Sequence, residues 1–339
     1  MKVLSIETSC DETAAAVVED GRRLLSSVVS SQACLHGAFG GVVPEVASRA
    51  HLELIGPAVQ EAMARAGVEP ANLDAVAATI GPGLIGSLLV GVSAAKAYAW
   101  SWRLPFVGVN HMEGHLHAAF LQDPALCLPA AVLLVSGGHT MLICMRDKGD
   151  GAPEYFLLGQ TIDDAAGEAF DKVARFLGLG YPGGPVIERE ASGGDPCAVA
   201  FPRGLAGAGY DFSFSGLKTS VIRYVRSHPE VPVADVVASF QEAVVDVLAA
   251  KTRKAAGEMG AKAVCIGGGV AANSSLRARI EKICSEDGLQ ALIPDRAMCT
   301  DNAAMIGAAA WYRLKVDGPT PLDVGADPNL ALPLVQRGA

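Results

Sequence analysis

Charge is the scarce component of this chain. Asp, Glu, Lys and Arg supply 19% of its 339 residues, against roughly 25% in average soluble proteins. Aromatic residues are scarcer still, at 6%, yet hydrophobic residues reach 50%. A chain with that much apolar surface and so little charge does not stay disordered as a whole. Long apolar runs are missing too. The richest stretch, residues 84–100, is broken by Gly86, Ser87, Gly91, Ser93 and Lys96, and falls short of the roughly 18 residues that a membrane helix needs. At the start, Glu7 arrives before a signal-type apolar core could form, so a soluble, cytoplasmic protein is expected. Basic runs are also lacking. Lys and Arg number 27 against 36 Asp and Glu, a formal net charge of −9. The densest basic cluster, Lys251-Thr252-Arg253-Lys254, reads as one exposed helix face. A stand-alone nucleic-acid binder is usually basic, because phosphate neutralisation supplies most of its affinity. Composition alone therefore argues against direct binding. None of the eight cysteines forms a C-x-x-C pair, which speaks against structural zinc and leaves reduced thiols, several of them in the core.

What is present is glycine, gathered at a few corners. Residues 2–19 read as strand, polar corner and strand, the corner being Glu7-Thr8-Ser9-Cys10-Asp11-Glu12-Thr13. Residues 130–145 repeat the plan around Ser136-Gly137-Gly138-His139-Thr140, where glycines let backbone N–H groups converge on an anion. A second pair also matches. The strand at 73–79 ends in Gly81-Pro82-Gly83-Leu84-Ile85-Gly86 and opens a helix through Ala99. The strand at 262–266 ends in Gly267-Gly268-Gly269 and opens a helix through Ala271, Ala272 and Asn273. This is a duplication of architecture. It predicts two α/β lobes with a cleft between the glycine corners. Residues 1–115, completed by about 300–325, form the first lobe and 130–299 the second. Residues 326–339 are expected as a surface tail, within an irregular stretch from 318 onward. Helices are expected at 48–66, 167–177, 231–257, 274–287 and 302–315, and loops at 149–153, 178–184 and 192–202.

Several clusters could carry chemistry. His111-Met112-Glu113-Gly114-His115 sets two imidazoles at i and i+4, on one face of a helix, where they can share a metal or simply cap the surface. Glu113 is not placed as in H-E-x-x-H, and His117 faces elsewhere. Asp301, where a loop enters a helix, is either a third ligand or an N-cap. Two histidines and a carboxylate suit non-haem iron or catalytic zinc. Gly267–273 suits a nucleotide, though neither standard nucleotide fingerprint is present. Asp163 and Asp164 read as dipole partners of the next helix, while Asp171 could reach a ribose hydroxyl. Tyr181-Pro182-Gly183-Gly184-Pro185 could bring backbone near a sugar, and 211–219 reads as a strand and turn.

Taken in order, these motifs resemble the universal tRNA threonylcarbamoyladenosine transferase family in its bacterial form. The resemblance is carried by residues 6–13, Gly40-Gly41-Val42-Val43-Pro44-Glu45, 81–84, 111–115, 136–140, Phe170-Asp171-Lys172, 212–219, 267–273 and Cys299-Thr300-Asp301-Asn302. It implies the α/β actin-like ATPase (ribonuclease-H-like) fold, two duplicated lobes with a nucleotide cleft between them. It also implies transfer of threonylcarbamoyl from threonylcarbamoyl-AMP to N6 of the adenine 3′ of the anticodon, in tRNAs reading codons that start with A, with release of AMP. By resemblance, His111, His115 and Asp301 hold one divalent metal per subunit, iron first and zinc as the alternative. Leu134, Val135, Ser136, Gly137 and Gly138 contact the phosphate side of the adenylate, or of ATP or ADP in the same cleft. Asp171, Gly184 and Glu188 contact the ribose, and Asn273 the adenine end. Asp11 and Glu12 face the reacting centre, with Glu12 as proton acceptor. The expected partners are tRNA, a TsaB-type paralogue and a TsaE-type ATPase. Two other readings stay open: a metallopeptidase built on the histidine pair, and an actin-like nucleotide-switched scaffold.

Overall fold

The computed structural model describes residues 1–37, 39, 41–123, 126–149, 153–207 and 209–335. Gly40 of the 40–45 motif, residues 150–152 of the loop at 149–153, and the last four residues lie outside that set. The chain divides into two units, Met1–Leu126 with Thr300–Pro333, and Cys127–Cys299 with the residues from Leu334 onward.

In the first unit, β1 (Lys2–Glu7), β2 (Glu12–Glu19) and β3 (Arg23–Ser31) form an antiparallel meander, followed by α1 (Ala33–Gly37) and α2 (Pro44–Ala66). Then come β4 (Ala75–Gly81), α3 (Ile85–Trp102), β5 (Phe106–Asn110) and α4 (His111–Gln122). The sheet order is β3-β2-β1-β4-β5, with β4 parallel to both β1 and β5. Strand periodicity of two sends alternate residues to opposite faces. Leu4, Ile6, Val76 and Ala78 pack with Ile55, Val59, Val92 and Ala95 of α2 and α3. Val3, Ala75, Ala77, Val107 and Val109 pack on the other face against Ala118 of α4 and against Met305, Ile306 and Ala309. This double burial is why the strands read as continuous apolar runs.

The second unit runs β6 (Ala130–Val135), β7 (Thr140–Asp147), β8 (Pro153–Gln160), α5 (Ala166–Phe176), α6 (Gly183–Ala191), α7 (Ser215–Ser227), α8 (Val233–Met259), β9 (Ala263–Gly267), α9 (Ser274–Asp287), β10 (Gln290–Leu292) and α10 (Arg296–Cys299). Helix α11 (Ala303–Val316) then returns to the first unit. The second sheet, β8-β7-β6-β9-β10, has the order and strand directions of the first. The duplication read from the sequence is thus present strand for strand.

Several local expectations are corrected. Helix α2 starts at Pro44 because proline is tolerated in a first helical turn. The Gly267-Gly268-Gly269 corner leads first into a 3-10 turn, Gly269–Ala272, and the α-helix begins only after Asn273. Residues 211–219 are not a strand and turn. Phe212 makes one bridge to Thr161, and α7 follows. Asp163 caps that helix and not α5: its Oδ1 accepts from Phe214 N at 2.8 Å and Ser215 N at 3.3 Å. Asp164 instead pairs with Lys172 and Lys218. The loop at 178–184 ends early, in α6. The basic run at 251–254 wraps around its helix. Lys251 is 2% exposed and donates to Leu205 O at 2.8 Å, whereas Arg253 faces out to Asp287. The stretch from 318 to 333 has no helix or strand but is not a loose tail. Thr320 N donates to Phe106 O, Asp327 N to Ile80 O, and Asn110 Nδ2 to Leu330 O and Ala331 O. No helix among the described residues is long and apolar enough to cross a membrane.

Two glycines let the corners of the second unit close. A Cβ on Gly167 would lie 2.6 Å from Ser136 O, and one on Gly268, at φ +87°, would lie 2.5 Å from Val135 O. Replacing Gly268 with Ala combines a left-handed backbone with a clash against main chain, so a loss of about 1–3 kcal/mol is expected in chemical denaturation.

Candidate functional site

Strand β5 passes directly into α4, and Asn110 marks the joint. Its Oδ1 accepts from Met112 N at 2.9 Å and Glu113 N at 3.3 Å, capping the helix. The first turn is thereby fixed, and His111 and His115 share a face with their rings 4.8 Å apart, edge-on. Asp301 precedes α11 but does not cap it. That task falls to Asn302, whose Oδ1 accepts from Met305 N at 3.0 Å, so the Asp301 carboxylate is available for other work. Its Oδ1 stands 3.4 Å from His111 Nε2 and 3.2 Å from His115 Nε2. One ligand atom from each residue falls within 4.8 Å of the others. His115 is 3% exposed, and neither ring nitrogen makes an aligned hydrogen bond. A buried imidazole left this way, beside a second imidazole and a carboxylate, fits a divalent cation. Glu113 turns away from the pair to Arg313, and His117 packs against Tyr312, so the cluster lacks the glutamate of a peptidase motif.

Behind His111 lies a group whose role the sequence did not give away. Glu7, fully buried at the end of β1, accepts from Ser9 N and from Thr79 Oγ1, both at 2.5 Å. Its Oε2 is 3.1 Å from His111 Nδ1. A carboxylate on Nδ1 fixes the tautomer and turns Nε2 toward the cluster, the outer arrangement of many metal-ligating histidines. Burial raises the Glu7 carboxyl, but His111 and Thr79 outweigh it and hold the group below its ordinary value. His111 responds oppositely: burial disfavours its charge, and Asp301 and Glu7 more than reverse that. Asp301, half-buried, is held low by His111 and His115 against the desolvation that would raise it. A charged residue closing the otherwise apolar run Val3-Leu4-Ser5-Ile6 was the available signal.

The first hairpin tip is pinned close by. Leu84 N donates to Ser9 O at 2.8 Å and Thr8 Oγ1 to Ser87 O at 2.9 Å. Asp11 and Glu12 are half-buried at this tip. Glu12 accepts from Ser31 Oγ at 3.3 Å, yet burial, then Asp11, then Asp301 push its carboxyl up to about 9. Burial and Asp11 likewise hold the Cys10 thiol far above its ordinary range, which removes it as a nucleophile.

In the second unit, Ser136 N donates to His139 O at 2.8 Å and His139 N to Ser136 Oγ at 3.1 Å. That engages two of the four amides of the corner, the other two being those of Gly137 and Gly138. Leu134 and Val135 are buried strand residues that carry the corner. Asp171 Oδ1 accepts from Gly183 N at 2.7 Å, beside Gly184, and burial raises its carboxyl. Glu188, one turn on in α6, accepts from Ser274 N at 2.9 Å. Asp171, Gly184, Glu188 and Asn273 thus lie along one run of contacts from α5 through α6 to the start of α9. Asn273 is already occupied there: its Oδ1 caps α9 and its Nδ2 donates to Gln241 Oε1 at 2.7 Å.

Two five-stranded sheets of identical order, one with a His–His–Asp cluster beside it, define an actin-like ATPase fold with a candidate metal centre. Solved structures agree on the fold. HypF of T. kodakarensis is 16% identical with a TM-score of 0.63, over 94% of this chain and 48% of that one. Component A of the Acidaminococcus fermentans (R)-2-hydroxyglutaryl-CoA dehydratase is 13% identical with a TM-score of 0.54, over 93% and 99%. The family model for TsaD, tRNA N6-adenosine threonylcarbamoyltransferase, matches residues 23–308. Proteins of that name from Anaeromyxobacter dehalogenans and Symbiobacterium thermophilum are each 54% identical, over 96% and 97% of this chain and 98% and 96% of their own lengths. The chain belongs to the tRNA N6-adenosine threonylcarbamoyltransferase family.

Removing the Nδ1 partner of His111 should weaken metal binding without deleting a ligand. Glu7→Gln is expected to lower the affinity of the metal-free protein for Fe2+ or Zn2+ by about 10–100-fold. His115→Ala is expected to lower it further, both read by competition with a chromophoric chelator.

Proposed function

We propose that this protein is a tRNA-modifying acyltransferase that moves threonylcarbamoyl from threonylcarbamoyl-AMP to N6 of the adenine 3′ of the anticodon, in tRNAs reading codons that start with A. The observation that carries this reading is the His111–His115–Asp301 cluster in a chain whose full-length relatives bear that activity in their name. In the transfer, N6 attacks the carbamoyl carbon, the bond from that carbon to the AMP oxygen breaks, and AMP leaves. The donor is a mixed anhydride with a good leaving group. The protein must therefore orient a weak aromatic amine and stabilise developing charge, more than activate the donor.

His111, His115 and Asp301 would hold the divalent cation, and Glu7 would orient His111. Such a cation supplies Lewis-acid polarisation of an oxygen and neutralisation of phosphate charge. The Gly137 and Gly138 amides, with Leu134, Val135 and Ser136 behind them, are assigned to the phosphate side of the adenylate. Asp171, Gly184 and Glu188 are assigned to the ribose. Asn273, occupied by its cap and by Gln241, serves the adenine end by shaping the start of α9. Glu12 is assigned as acceptor of the N6 proton, with Asp11 beside it. Iron is favoured as the metal and zinc is the alternative. A TsaB-type paralogue and a TsaE-type ATPase are the expected partners, and the cytoplasm the expected compartment.

Purified protein with its partners, threonylcarbamoyl-AMP and unmodified tRNA should yield threonylcarbamoyladenosine in a nuclease digest of the tRNA. A digest without that nucleoside, under conditions where the A. dehalogenans relative makes it, would sink the proposal. A base whose carboxyl is raised is deprotonated only as pH climbs toward its pKa. Turnover should therefore rise across the neutral-to-alkaline range, and Glu12→Gln should flatten that limb. Positive charge at Asp301 would remove one of the anions that raises Glu12, so the limb should lie lower in the metal-loaded enzyme than about 9.

The formal net charge of −9 implies weak unaided affinity for tRNA. The lone chain should bind with a steep, salt-sensitive constant that falls by orders of magnitude between about 50 and 200 mM salt, as read by filter binding. Tight binding at physiological salt would contradict it.

A further inference from the structure

We propose that His36, Gln32 and His51 form a one-way hydrogen-bond chain that positions the corner carrying Asp11 and Glu12, with the backbone amide of Val43 as its donor end. The proposal rests on the reading of Asp11 and Glu12 as groups at the reacting centre.

The two ends of the chain fix every proton between them. A backbone N–H can only donate, so Val43 N, 3.3 Å from His36 Nδ1, makes that nitrogen an acceptor. The His36 ring proton is then on Nε2, which faces Gln32 Oε1 at 3.3 Å. The orientation of the Gln32 amide is set independently, because its Nε2 reaches Ala47 O at 3.5 Å, and a carbonyl cannot donate. Gln32 Nε2 therefore also donates to His51 Nδ1 at 3.3 Å, which accepts from Thr13 Oγ1 at 2.7 Å. The His51 proton is left on Nε2, 3.1 Å from the carbonyl of Cys10, which can only accept. Both rings are neutral Nε2–H tautomers. His36, His51 and Thr13 are fully buried and Gln32 is 1% exposed. Burial holds His51 below the ordinary imidazole range, against its bond to Cys10 and the nearby Glu7 and Asp11.

What the chain holds is main chain next to two carboxylates. His51 takes the carbonyl of Cys10, and the backbone N–H of Gln32 takes the carbonyl of Asp11 at 3.0 Å. The peptide planes before and after Asp11 are both tied to one residue pair, and Thr13, next after Glu12, is tied to the same ring. A run of buried polar groups is less favourable than apolar packing unless every member is satisfied. Here each is satisfied in a single direction, and the direction ends on the corner. At the other end, Val43 is the N-cap of α2 within Gly41-Val42-Val43-Pro44-Glu45, a motif with no role in the site described above.

The test uses the full-length protein with its partners and compares three substitutions at one position. His51→Gln keeps a donor at the place of Nε2, His51→Asn keeps a group only at the place of Nδ1, and His51→Leu keeps neither. A 1 Å displacement of reacting groups costs on the order of 100-fold in rate. Asn and Leu should therefore lose kcat on that order, with KM for tRNA and the Fe2+ affinity of the metal-free protein unchanged, while Gln recovers most of the loss. Wild-type kcat in a folded His51→Asn protein, or equal losses in all three that follow Tm, would overturn the chain. Asp11→Asn and Glu12→Gln are assayed alongside. If both keep full turnover, the reading of the corner as the reacting centre fails, whatever His51 does. If they lose turnover and His51→Asn does not, only the chain fails. Should the His51 variants not fold, 15N imidazole spectra of the wild-type protein decide: both His36 and His51 must be neutral Nε2–H tautomers, and an Nδ1–H form of either refutes the proposal.

Discussion

A buried carboxylate at the end of β1 sets the terms for the first unit. Glu7 is fully buried, and an uncompensated charge there would cost several kcal/mol. The surroundings are arranged to prevent that, with a backbone amide from Ser9, a hydroxyl from Thr79 on β4, and a ring nitrogen from His111 at the start of α4. Each partner comes from a different element, so satisfying Glu7 requires β1, β4 and the β5–α4 joint to be in register together. The same requirement turns His111 Nε2 toward His115 and Asp301. Folding of the sheet and assembly of the His111–His115–Asp301 cluster are in this sense one event, since the group that would be left charged and unpaired in a misassembled sheet is the one that orients His111.

The fold supplies that geometry at a predictable place. In open sheets with parallel strands, ligands gather beyond the carboxyl ends of those strands. Glu7 ends β1, and Asn110 ends β5, while Thr79 sits near the end of β4. In the second unit Ser136 follows the end of β6, and Gly268 follows the end of β9. Because the two sheets share one strand order, each unit offers its candidate corner at the equivalent end of its own sheet. The two corners are filled differently, with imidazoles and carboxylates in one and glycine amides in the other.

The duplication, the hairpins and the buried strands were legible because they rest on local signals: apolar runs bounded by polar or glycine corners. The i, i+4 histidine pair was legible for the same reason. What escaped was decided by partners far apart in the chain. Asp163 precedes α5 and looks like its dipole partner, yet it caps α7 some fifty residues on, because the bridge between Thr161 and Phe212 brings the two together. Residues 251–254 look like a solvated basic patch, but four consecutive side chains spread over about 300° around a helix axis, so they cannot all face out, and Lys251 and Thr252 are the two that are buried. Glu7 has no visible role within the 6–13 motif, since only the arrival of Thr79 and His111, 72 and 104 residues later, makes it a support for His111. The competition between cap and ligand at Asp301 could not be resolved in sequence either. It turned on whether Asp301 or its neighbour Asn302 took the helix N-terminus.

Five of the seven histidines are buried in the first unit, and they separate by what their ring nitrogens have to bond. In His36 and His51 both nitrogens are committed, one accepting and one donating, so neither ring has a lone pair to offer a cation. His117 is packed among Phe120 and Tyr312, and burial, with Arg313 nearby, pushes it down to about 3. His111 has one nitrogen committed to Glu7 and Ser9, and the other turned to Asp301. His115 has neither in an aligned hydrogen bond. Burial alone would rank all five as equal candidates for a ligand. The ring-nitrogen bonds of His36 and His51 and the aromatic packing of His117 set those three apart and leave two, which α4 places on one face against a carboxylate that Asn302 has released from capping. The division also explains how one small unit can keep so many imidazoles inside. His36 and His51 are held by a fixed order of donors and acceptors, and His111 is held by the charges of Asp301 and Glu7.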